Sequence, residues 1–143
     1  MKRMTMLFII VTELLISCNN YNCTSKFGFE LDSHLFSSIK VNGNTYCELV
    51  NGAFLGDELC IANLLKVDVK DFASYQHGAV LIELIDKIGE VDFLNKTAIL
   101  SRKEKKNIYY SIKAGLEFIP NIKYHKKHLH SIFPLISKKL NLL

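Results

Sequence analysis

The chain lacks the short signatures that usually announce an enzyme. It has no glycine loop spaced to cradle phosphate, no zinc-protease helix, no serine elbow and no cysteine pair of the redox type. Arginine is scarce: beyond residue 17 the chain holds Arg102 alone. Sites that read nucleic acid favour arginine for bidentate and stacked contacts, so a nucleic-acid partner is not expected. Proline stands at two positions, Pro120 and Pro134, and each marks a place where a helix must end or kink. No repeat or low-complexity tract interrupts the 143 residues, a length suited to one domain.

What is present begins at the N-terminus. Met1-Lys2-Arg3 is a short cationic start. Leu7-Phe8-Ile9-Ile10-Val11 opens an apolar run that resumes at Leu14-Leu15-Ile16, and Ser17-Cys18 closes it before the polar Asn19-Asn20-Tyr21-Asn22. Positive charge, apolar stretch and small residue, in that order, is the layout of a secretory signal. Leu15-Ile16-Ser17-Cys18 resembles the lipobox of bacterial lipoproteins: an aliphatic residue at minus three, a small one at minus one, then the cysteine. The resemblance covers the first 18 residues. It implies cleavage before Cys18, diacylglycerol on the Cys18 thiol and a further acyl (palmitate-type) chain on the new amino terminus. Two or three chains anchor stably, because each buried methylene contributes about 0.8 kcal/mol. Asn19 is not the aspartate that often retains such proteins at the inner membrane, so the outer membrane of the envelope is the favoured location. Glu13 departs from an unbroken apolar run; a carboxylate costs roughly 2.5–3.5 kcal/mol at the centre of a spanning helix and less near its end. It leaves open an unanchored cytosolic helical protein in which Cys18 is a core cysteine. The expected division is a signal peptide at 1–17, a flexible tether at 18–26 and a helical domain at 27–143.

Charge is unevenly spread. Residues 18–95 hold 5 lysines against 11 acids, about −6, while residues 96–143 hold 11 basic residues against Glu104 and Glu117, about +9. Such a split either marks an interaction surface or is neutralised across one fold. Cys47 and Cys60 are the candidate disulfide in an oxidising compartment. Their loop of about 14 residues would contribute roughly 3 kcal/mol in the chain-entropy picture, leaving Cys23 over. Two buried thiols are the alternative.

Helical periodicity dominates the rest. Leu31, Leu35, Phe36 and Ile39 predict a helix over 32–40. A turn follows at Val41-Asn42-Gly43-Asn44, and Thr45–Val50 fits either a short strand or a helical turn. Asp57 is a cap for a helix carrying Leu59, Ile61, Leu64 and Leu65. Ser74 to Gly89 places Val80, Leu81, Leu84, Ile85 and Ile88 on one face, with Glu83, Asp86 and Lys87 opposite. A further helix spans Glu90 to Leu100. Ser101 and Glu104 have capping-box spacing and start a helix that ends before Pro120. The last segment puts Leu129, Ile132, Phe133, Ile136 and Leu140 on one face, broken at Pro134 with Phe133 outside the helical region. That face either closes the core or, with Lys123, Lys126, Lys127, Lys138 and Lys139 beside it, lies on an anionic membrane. The expected fold is a mostly α, single-domain bundle of about five helices with room for one short β-hairpin.

Chemistry is thinly signalled. His125 and His128, three apart, are weak candidate metal ligands, with His130 about 200° away on a straight helix. His77 could activate Cys47 or Cys60 as a nucleophile if the fold brought them together. Asp57-Glu58 and Glu90/Asp92 read chiefly as helix-start residues. The expected role is therefore a lipid-anchored envelope module that binds another protein, an immunity-protein-like role being one version. The alternatives are a thiol- or metal-dependent envelope enzyme and the unanchored cytosolic protein. No cofactor is implied.

Overall fold

A computed structural model describes residues 30–32 and 36–141. The expected signal peptide, Cys18 and the tether lie outside these residues. Asn42 and Gly43 both have positive φ, 51° and 86°, as a two-residue type I′ hairpin requires. They join strand β1 (Lys40–Val41) to antiparallel β2 (Asn44–Thr45), with Lys40 opposite Thr45 and Val41 opposite Asn44. The expected 32–40 helix therefore does not reach Lys40, though Leu31 and Phe36 do enter the core. Asn42 Nδ2 donates to Asn63 Oδ1 at 2.8 Å and holds the hairpin in place.

Thr45 then caps helix α1 (Tyr46–Leu55). Its hydroxyl accepts from the Glu48 N–H, and Glu48 accepts from the Thr45 N–H at 2.7 Å, a capping box. The stretch after Thr45 is therefore helix, not strand. Gly56, at φ 91°, ends α1. Asp57 caps α2 (Glu58–Leu64), accepting from Cys60 N at 2.9 Å. Helix α3 (Asp71–Ile88) ends at Gly89, and α4 (Glu90–Thr97) follows directly. The Ser101–Glu104 capping box starts α5 (Arg102–Phe118). Phe133, at φ −130°, separates α6 (Leu129–Ile132) from α7 (Pro134–Asn141), since a residue before proline is pushed from the helical region. The protein is a small, mostly helical single domain with one short hairpin. It has seven helices among the described residues where about five were expected; α1 is the helix the sequence left open between strand and helical turn, and the last segment is divided at Phe133 as expected.

Helix α3 is the axis of the domain. Every residue from Gln76 to Ile85 is buried, so the helix is enclosed on all sides rather than amphipathic. Asp86 and Lys87 are exposed as expected, but Glu83 is 2% exposed and belongs to the interior. The most extensive packing is between α3 and α5. At their crossing a β-carbon on Gly78 would lie 1.7 Å from the Ser111 carbonyl oxygen, and one on Gly115 would lie 2.3 Å from the Gly78 carbonyl carbon. The two helices touch backbone to backbone, which glycine alone permits.

The C-terminal helices complete this core. Leu129, Phe133, Ile136 and Leu140 are buried, so their face closes the bundle. Glu90, at the start of α4, accepts from the Ile136 N–H at 2.9 Å and satisfies a first-turn donor of α7 that otherwise has no helical partner. Ion pairs join the basic part of the chain to the acidic part, among them Lys96–Glu58 at 2.5 Å, Lys123–Asp86 at 2.7 Å and the longer Lys103–Asp68 at 3.9 Å. The charge split is thus partly neutralised within one fold, although such exposed pairs each contribute only about 0–1 kcal/mol. Among the described residues no helix is long and apolar enough to cross a membrane.

Candidate functional site

His77 is 1% exposed. Its Nδ1 shares a 2.8 Å hydrogen bond with Tyr46 Oη, and the two rings meet edge to face at 5.7 Å. Tyr46 in turn stacks on Phe36 at 4.0 Å. Burial lowers the imidazole pKa to about 4, so His77 is neutral at pH 7. Burial, and secondarily the charge of Glu83, hold the Tyr46 phenol well above its usual range. A general base must reach the proton it abstracts; this ring reaches Tyr46 and ties α3 to α1.

The cysteines depart from the expected pairing. Cys47 is disulfide-bonded, whereas Cys60 carries a free thiol, so they do not bridge each other. The other cysteines of the chain, Cys18 and Cys23, lie outside the described residues. The cause is the placement of the Cys60 sulfur. A β-carbon at Gly52 would lie 2.3 Å from Cys60 Sγ, and Gly52 is five residues, about 7.5 Å of helix rise, beyond Cys47 on α1. Burial, then the neighbouring Asp57 carboxylate, push the Cys60 thiol up, which opposes formation of the nucleophilic thiolate.

The late histidines are divided. Residues 122–126 form turns, not a helix, so His125 and His128 do not share the expected helical face. His125 Nδ1 bonds the Ile119 carbonyl at 2.9 Å, while His128 stacks on His130 with centroids 5.6 Å apart. Among the described residues no group of three His, Cys, Asp or Glu side chains is placed to hold a metal ion. The acid pairs serve the fold: Asp57 caps α2, Glu58 bonds Lys96 and Glu90 caps α7. Asp86 accepts from Lys123 Nζ at 2.7 Å and from Tyr124 Oη. Those two bonds lower the Asp86 carboxyl, and Asp86 raises Lys123. They fasten the turns after α5 to α3.

The remaining candidate site is a groove of different chemistry from these contacts: it is apolar and basic. Helices α4, α5 and α7 line a partly open groove of about 490 Å³. Leu94, Leu135 and Leu140 supply apolar lining, and Lys105, Lys138 and Lys139 bring positive charge to it. Lys105 is steadied by donating to the Ala98 carbonyl at 3.2 Å. Leu135 is 44% exposed, while Thr97 and Leu140, at 2% and 4%, are recessed. None of the lining residues is acidic. An apolar hollow with a few placed polar groups is the usual form of a ligand site. From sequence, Lys138 and Lys139 stand on a basic flank, but nothing along the chain signals that Lys105 joins them. Their meeting depends on α7 folding back between α4 and α5.

No family model, curated protein or solved structure matches the chain. The residues themselves define its class: a small helical domain with a lysine-rimmed apolar groove.

Proposed function

We propose that this is a lipid-anchored envelope protein whose helical domain is a binding module, engaging its partner at the groove between α4, α5 and α7. The observation that carries the binding role is the groove itself, apolar and basic, with no histidine, cysteine or carboxylate among its lining residues. The anchor rests on Leu15-Ile16-Ser17-Cys18 and the signal layout before it, with the outer membrane favoured by Asn19. An immunity-protein-like version would need an acidic surface to meet a basic toxin. Glu58, Asp68 and Asp86 are engaged by lysines of the same chain, which favours a partner that reads the basic groove instead.

The test is the intact mass of the protein recovered from the membrane fraction, beside a Cys18→Ala variant. The expected product begins at Cys18 and carries acyl mass that the variant lacks. A full-length, unmodified chain in the soluble fraction would refute the anchor and leave the unanchored helical protein.

A further inference from the structure

We infer that the α4–α5–α7 groove takes a single-chain amphiphile with an anionic head, and specifically a free medium-chain fatty acid. This deepens the binding-module reading and rests on it for the site, but not on the Cys18 anchor. Two features of the groove select the ligand. The first is charge: three lysines line the groove and none of the lining residues is acidic, so an anionic head is drawn in without a repelling neighbour. Lysine offers a compact point charge, whereas planar bidentate recognition would call for arginine. A carboxylate head satisfies such ammonium groups from any of several angles.

The second feature is size. A volume of about 490 Å³ holds roughly 16 water-sized groups at about 30 Å³ each, the heavy-atom count of a chain of some 12–14 carbons with its carboxylate. A partner helix is at least about 10 Å across with a 5.4 Å pitch, so little more than one turn would fill the same space.

The experiment uses the full chain with isotope-labelled leucine methyls in neutral phosphatidylcholine nanodiscs, titrated with laurate and, separately, with dodecyltrimethylammonium. The expected result is saturable shifts of the Leu94, Leu135 and Leu140 methyls at one laurate per chain, with no matching response to the cation. Lys138→Glu with Lys139→Glu, both exposed, should weaken laurate at least tenfold without changing the melting temperature. Leu135→Gln provides a charge-neutral second variant with the same expected loss. Equal shifts from the cationic amphiphile would overturn the proposal, as would shifts that never saturate. Shifts that need no laurate and arise only on phosphatidylglycerol nanodiscs would also overturn it and assign the face to the membrane. Laurate binding retained by Cys18→Ala upholds the ligand even if the anchor fails.

Discussion

Replacing Gly78 by alanine places one methyl at the closest point of the α3–α5 crossing, and the geometry sets the cost. The new β-carbon would lie 1.7 Å from the Ser111 carbonyl oxygen, against about 3.4 Å for ordinary contact, so the helices must part by roughly 1.7 Å. The obstacle is helix backbone rather than a side chain that can rotate away. Overpacking of this kind costs about 1–3 kcal/mol, and a rigid neighbour argues for about 3. Alanine returns about 1 kcal/mol through its better helix propensity, leaving a net loss of about 2 kcal/mol. For a domain of this size that corresponds to about 8 °C in melting temperature, read by circular dichroism and cross-checked by urea unfolding. Gly78→Ala combined with Gly115→Ala should cost less than the sum, because parting the helices for one methyl makes room for the other. Gly56→Ala is the contrasting control: nothing lies within 4 Å of its β-carbon, but φ is +91°, so it pays only the left-handed penalty of about 1 kcal/mol. A Gly78→Ala protein melting within about 2 °C of the parent would refute the backbone contact.

Other outcomes follow from the buried and capping groups. His77 has a pKa of about 4 when folded, against 6.5 for an unperturbed imidazole. Its depressed pKa means that the unfolded chain binds the proton first, so its contribution is complete above pH 6.5 and is lost as pH falls towards 4. The gap corresponds to about 3 kcal/mol, and His77→Gln should flatten that part of the stability–pH curve; an imidazole resonance titrating near 6.5 in the folded protein would contradict it. Glu90→Ala removes the acceptor for the Ile136 N–H and should cost about 1 kcal/mol, with hydrogen exchange quickening in α7 first; unchanged exchange there would argue against the cap. Without reductant, an alkylating reagent should label Cys60 slowly and leave Cys47 unlabelled until reduction, and a peptide linking Cys47 to Cys60 would overturn the assignment.

Much of the helical frame was legible because its signals are local. Ser101 with Glu104, Asp57, Gly89 and Pro134 each act within one turn of where they stand, and all mark the helix ends expected of them. Thr45 and Glu48 carry the same capping spacing as Ser101 and Glu104, a local signal that marks the 45–50 stretch as helix. Periodicity misplaced Glu83 because α3 is covered all round, so no face of it is the solvent face. Leu59 and Ile99 sit at helical spacing yet are 75% and 78% exposed; one stands in the first turn of α2 and the other in the turn beyond α4, where apolar residues satisfy a pattern without reaching the core. Cysteine pairing, the glycine crossing and the Lys105–Lys138–Lys139 groove each join residues distant along the chain. No local pattern encodes which distant partner is met.

The enclosure of α3 also bears on how the chain is made. Residues Ala79 to Ile85 are buried in unbroken succession, and the largest part of their cover is α5, which ends only at Phe118. A chain emerging in order, from ribosome or export channel, therefore presents its most fully enclosed helix well before the element that shields it. Apolar surface left bare during that interval invites self-association. A fragment cut between α4 and α5 should accordingly yield aggregate, not a smaller soluble domain, and emergence of the chain past residue 118 becomes the point at which folding turns from hazardous to cooperative.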